Sequence, residues 1–216
     1  MSMFRRISFG VVIASLFSLF AWAGKNFVMP VAKPAVTYPA HDAHTDEKVI
    51  VALDPYDMPD KANIFSVKYS EIGYMPIFFV ITNDGDEPIS LNNLKAELIT
   101  TDRTKISPAD EQDIYRRLAH PTKSTSPIPL PYPRTKIKGT VNSKAQDEIQ
   151  NSRFAARAVE PHSTQSGFMF FDVSGISSPL AGAHFYLSGV HDSKGNELMY
   201  FEIALEKYLS APSNKP

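Results

Sequence analysis

The apolar positions of this chain change period several times. From Ile77 to Ile81 five residues (IFFVI) are all apolar, too short a run for a helix and too greasy for an edge, which predicts a strand buried on both faces or in a core. Asn83-Asp84-Gly85-Asp86 then tolerates positive φ and Pro88 stops the strand, so a β-hairpin is expected between this run and a second strand over Leu91–Thr101. In that second strand Leu94, Ala96, Leu98 and Thr100 alternate with Lys95, Glu97, Ile99 and Thr101. Alternation also predicts strands over Val49–Leu53 and over Ile64–Tyr69, where Phe65, Val67 and Tyr69 share one side. Gly167–Val173, His184–Gly189 and Leu198–Leu205 complete the set.

The period becomes helical between these groups. Ser107-Pro108-Ala109-Asp110 has a cap, an N1 proline and first-turn acids, with Ile114, Tyr115 and Leu118 as an apolar face. His120-Pro121 ends that helix. A second helix is expected over Asn142–Val159, striped by Ala145, Ile149, Ser152 and Ala156. Between them, residues 121–134 carry five prolines and favour polyproline II. The pattern is mainly β: an immunoglobulin-like antiparallel sandwich of about seven strands, with an inserted two-helix, proline-rich lobe over 105–158.

Two stretches resemble a known family. The strand ending in Thr82-Asn83 with its turn to Pro88-Ile89-Ser90-Leu91, and the run Val159-Glu160-Pro161-His162-Ser163-Thr164-Gln165-Ser166-Gly167 leading into Phe168–Val173, are similar to exported bacterial immunoglobulin-like domains. The match spans residues 64–101 and 159–205 and misses the insertion, and His162 stands where the pattern has glycine. Asn151-Ser152-Arg153-Phe154-Ala155-Ala156-Arg157 is similar to a segment of secreted bacterial proteins of unassigned function. The resemblance implies a sandwich and its lead-in turn, and no site.

The N-terminus adds an address. Arg5-Arg6, the short apolar run Val11–Phe20 and Ala21-Trp22-Ala23 read as a signal peptide over 1–23 with Gly24 first in the mature chain. The run falls short of the roughly 18–20 residues that span a bilayer, so no stable transmembrane segment is expected after cleavage. An extended arm over 24–46 with three prolines, a sandwich over 47–209 and a polar tail over 210–216 follow. Periplasmic or secreted localisation is the expectation.

Removing residues 1–23 takes away Arg5 and Arg6 and no acid, leaving a formal charge of −3, which gives no reason to expect nucleic acid. The chain has no cysteine, hence no disulfide, thiol nucleophile or thiolate metal site.

Candidate chemistry is sparse. His41 and His44, with Met58, are a possible copper or zinc ligand set for an envelope carrier; a solvated arm is the alternative. His162, His184 and His191 each stand near a strand end. His162-Ser163 and Ser188–Asp192 hold triad residue types without an elbow, which reads as turn chemistry. The insertion is locally basic, and Arg116, Arg117, Pro129, Pro131, Tyr132 and Arg134 are its candidate partner contacts. The expected function is non-enzymatic binding or scaffolding in the cell envelope, with an envelope protein or cell-wall component as partner and no cofactor.

Overall fold

The computed structural model describes residues 27–119 and 141–211. The signal-peptide expectation, the proline-rich run and most of the polar tail lie outside them. The described residues are mainly antiparallel β with a few short helices. Their strands are β1 (Ala40–His44), β2 (Val49–Pro55), β3 (Tyr74–Asn83), β4 (Ile89–Ser90), β5 (Lys95–Ile99), β6 (Lys105–Ile106), β7 (Ala158–Val159), β8 (Ser163–Asp172), β9 (His184–Ser188) and β10 (Phe201–Ala204). The helices are α1 (Pro59–Ala62), α2 (Glu111–Ala119), α3 (Ser143–Ser152) and α4 (Glu206–Leu209). Two four-stranded sheets run β1-β2-β3-β8 and β10-β9-β5-β6, and β4 pairs with β7. Ten strands in three sheets replace the expected seven.

β3 is buried over all ten of its residues, and its period of two sorts them between two cores. Met75, Ile77, Phe79 and Ile81 face the second sheet, meeting Leu98, Phe185, Leu187, Phe201 and Ile203. Tyr74, Phe78 and Val80 face the other way, with Phe168 and Phe170 of β8, under a cover supplied by Phe65, Val67, Tyr69, Ile114 and Ile149. The first sheet is therefore a middle layer.

Four sequence expectations change. The hairpin does not form: β3 pairs with β2 and β8, while β5 pairs with β6 and β9. The Asn83 carboxamide bends the chain instead, accepting from the Gly85 N–H (2.9 Å) and donating to the Glu87 and Val159 carbonyls (2.8 and 3.1 Å). That bend sends the chain to the second sheet. Ile64–Tyr69 is not a strand, although Phe65, Val67 and Tyr69 are buried together as their alternation predicts. Its N–H groups at Ser66 and Val67 go to the Glu148 carboxylate rather than to a ladder. The first insertion helix starts at Glu111, its Asp113 N–H capped by Asp110 (2.7 Å), because Ala109 donates to Phe170 of β8 (2.7 Å). The second stops at Ser152, because Phe154 donates to Phe168 (2.9 Å) and Val159 enters β7.

The same contacts cover the outer edge of β8. The opposite margin closes where β1 meets β10. There Asp42 accepts from the Glu202 N–H (2.9 Å), Glu47 accepts from the Met199 N–H (3.0 Å), and the His44 ring stacks on Phe201 at 3.9 Å. The arm segment Ala40–His44 is thus a paired strand of the domain.

Candidate functional site: a cleft at one end of the sheets

A cleft of about 860 Å³ opens between the chain from Tyr56 to Pro76 and the chain from Val173 to Ala181, with Leu209 at its margin. Its floor is apolar: Phe65, Val67, Tyr69, Tyr74, Met75 and Leu180 are buried beneath it. Its rim is polar, with Asn63, Ser66 and Ser70 exposed on one side and Ser174, Ser177 and Ser178 on the other.

Each wall is tied down by named contacts. Lys61 of α1 reaches Asp54 (2.5 Å) and the Pro55 carbonyl (3.0 Å) and lies over the Tyr56 and Tyr208 rings, at 5.2 and 4.8 Å. Tyr208 donates to Asp57 at 2.8 Å. Glu148, buried on α3, accepts from the Ser66 N–H (2.6 Å), the Ser66 hydroxyl (2.5 Å) and the Val67 N–H (3.1 Å). At Gly73, φ is +77° and an added Cβ would stand 2.1 Å from the Ser174 hydroxyl, so this turn needs glycine.

Arg117 closes the last corner. It pairs with Asp172, donates to the Ser174 hydroxyl (2.6 Å) and lies 4.9 Å from the Tyr74 ring. Burial alone would push the Asp172 carboxyl up, but hydrogen bonds from Ser174 and Arg117 outweigh it and hold the group below its usual range. As pH falls, the unfolded chain takes up this proton first. The contribution to stability is therefore complete above the ordinary carboxylate pKa of about 4 and is lost as pH falls through the lower folded value. Asp172→Asn should lower the denaturant midpoint at neutral pH and flatten its fall on acidification. An acid limb as steep as that of the parent would refute this assignment.

The phenols around the cleft stay neutral. Burial, then Asp54 and Tyr38, push Tyr56 up to about 12, and burial raises Tyr69 and Tyr74 as well.

The sequence-derived candidates are scattered. His41 and His44 are three residues apart on β1, which puts them on opposite faces of the strand. His41 Nδ1 contacts the Tyr38 carbonyl (2.6 Å), and His44 sits between Glu47 (2.7 Å) and Asp42 (3.4 Å). Val49, opposite His44, and Pro55, three residues before Met58, stand at the two ends of β2, about 20 Å apart at 3.3 Å per residue. The structure does not bring these three side chains to one ion. Among the described residues no group of three or more His, Asp or Glu is placed to hold a metal.

His162 meets Asp86 (3.2 Å), His184 meets Glu202 (2.9 Å) and His191 meets the Gly189 carbonyl (3.1 Å), each a separate local contact. Ser163 donates to the Glu160 carbonyl (2.7 Å). Arg116 is exposed and pairs with Asp113 (2.8 Å), whereas Arg117 is turned into the protein. Pro129, Pro131, Tyr132 and Arg134 lie outside the described residues. Sequence reasoning missed the cleft itself; its one signal is the serine-rich run Ser174–Ser178, which reads as an ordinary turn.

Among the described residues no helix is long and apolar enough to cross a membrane. No family model and no curated protein matches the chain. Among solved structures, the chain is similar to a Northeast Structural Genomics Consortium target at 9% identity and a TM-score of 0.31, over 80% of this chain and 98% of that one. It is also similar to a conserved hypothetical protein from Bacillus anthracis at 12% identity and a TM-score of 0.29, over 76% and 95%.

Proposed function

We propose that the chain is an exported, non-enzymatic binding domain of the cell envelope that takes its partner in the cleft between Tyr56–Pro76 and Val173–Ala181. The observation that carries this reading is the cleft: a concave, apolar floor with convergent polar groups on well-tied walls is what small-ligand and segment-binding sites share. Export is supported by Arg5-Arg6, the apolar run Val11–Phe20 and Ala21-Trp22-Ala23.

An immunoglobulin-like frame is supported by strand order. Without β1 and the β4–β7 pair, seven strands run β2-β3-β8 and β10-β9-β5-β6. Reading these as A-B-E and G-F-C, with β6 in the place of C′, supports such a frame. The helices and the proline-rich run then fall between C′ and E. The two helices α2 and α3 roof the outer face of the A-B-E sheet through Ile114 and Ile149 instead of leaving it to solvent.

A photo-crosslinking amino acid at exposed Ser177 should give an adduct in intact cells, and one at exposed Met199 should not. An adduct from Arg116 with none from Ser177 would move the contact surface to α2 and refute the cleft.

A further inference from the structure

Resting on the cleft as the binding site, we infer that it takes a neutral, hydroxyl-bearing oligosaccharide. Charge is the first argument. The charged groups on the lining, Asp57 and Lys68, are already partnered, Asp57 by the Tyr208 hydroxyl (2.8 Å) and Lys68 by Glu71 (2.9 Å). Arg117, behind the wall, is committed to Asp172. The lining's two charges, Asp57 and Lys68, are of opposite sign, so a ligand carrying a net charge would leave water for a lining that offers no net opposite charge, which is costly.

The main chain supplies the second argument. The Gly73 carbonyl accepts from the Val173 N–H and the Pro76 carbonyl from the Tyr56 N–H, both at 2.9 Å. The Ser66 and Val67 N–H groups are held by Glu148. An extended peptide gains affinity by adding a strand to a free edge, and these flanks offer it little to pair with.

What the cleft does offer is an apolar floor edged by the hydroxyls of Ser70, Ser177 and Ser178, those of Ser66 and Ser174 being engaged by Glu148 and Arg117. A serine hydroxyl both donates and accepts, so it matches a sugar hydroxyl in either sense. A pyranose carries the same two features, an apolar C–H face and a hydroxyl periphery. At about 860 Å³ the cleft has the size of a small-ligand site rather than of a protein interface.

The test is calorimetric titration of the full chain with triacetylchitotriose, cellotriose and maltotriose, and with a proline-rich decapeptide as the competing class. At least one trisaccharide should bind. The double variant Ser70→Lys/Ser177→Lys, exposed on opposite rims, should weaken it at least tenfold with an unchanged melting temperature. Met199→Ser, which is not on the lining, should bind like the parent. Binding of the decapeptide alone, or sugar binding indifferent to the double variant, overturns the inference. Silence from all three sugars while Ser177 still crosslinks a partner overturns the oligosaccharide and leaves the binding site standing. Silence in both experiments removes the site.

Discussion

Glu148→Ala should lower stability by about 4 kcal/mol, close to the whole margin of a modestly stable domain. The side chain is 3% exposed and satisfies three donors, two of them main-chain N–H groups of residues 66 and 67. Truncation leaves the buried Val67 N–H without its acceptor and strips the same acceptor from the part-buried Ser66 N–H and hydroxyl. Leaving one buried donor unsatisfied costs roughly 1–3 kcal/mol. Glu148→Gln keeps the shape but turns an amide N–H₂ toward the donors, so about half the loss is expected. A second signature accompanies it. Burial pushes the Tyr69 phenol up, and the Glu148 charge adds to that shift, so in the Gln variant Tyr69 should ionise at lower pH than in the parent. Urea midpoints and ultraviolet titration read the two effects. A loss below about 1 kcal/mol would mean that water replaces the carboxylate.

Phe168→Ala should cost a similar amount, about 4 kcal/mol, in the range found for emptying a buried aromatic site. The ring is 1% exposed and packs against Phe65 and Tyr56, each at 4.9 Å, and Phe78 at 5.0 Å. It belongs to the core on the side of the first sheet away from the second. The expected melting curve is one transition shifted downward, because that core shares β3 and β8 with the other. Two resolved transitions would show that the outer cover melts as a separate unit.

How far this was legible in the sequence depends on the range of the interaction. The run Ile77–Ile81 announced a strand buried on both faces, because five apolar residues leave no side for water. The two faces of β5 and of Phe65–Val67–Tyr69 were readable for the same local reason. Pairing was not. Alternation is equally satisfied in either sheet, so nothing local said that β5 would leave β3 for β9. Nor could the segment around Ser66 reveal that its N–H groups go to a carboxylate over 80 residues away. The histidine spacing could not say on which faces His41 and His44 lie, because residues three apart share a face on a helix and lie on opposite faces of a strand. The cleft was hidden for a related reason. Its walls are remote in sequence, and serines on a rim look like serines in any turn.

The seam between β1 and β10 carries a consequence for timing. Asp42 and Glu202 stand 160 residues apart, and Glu47 and Met199 stand 152 apart. Contacts that distant close large loops and gain nothing until both ends are present. A chain delivered from its N-terminus, by a ribosome or through a membrane pore, holds β1 ready long before β10 emerges. Until then the β1–β2 pair keeps one flank of the core uncovered, and the last strand acts as the latch that shuts it.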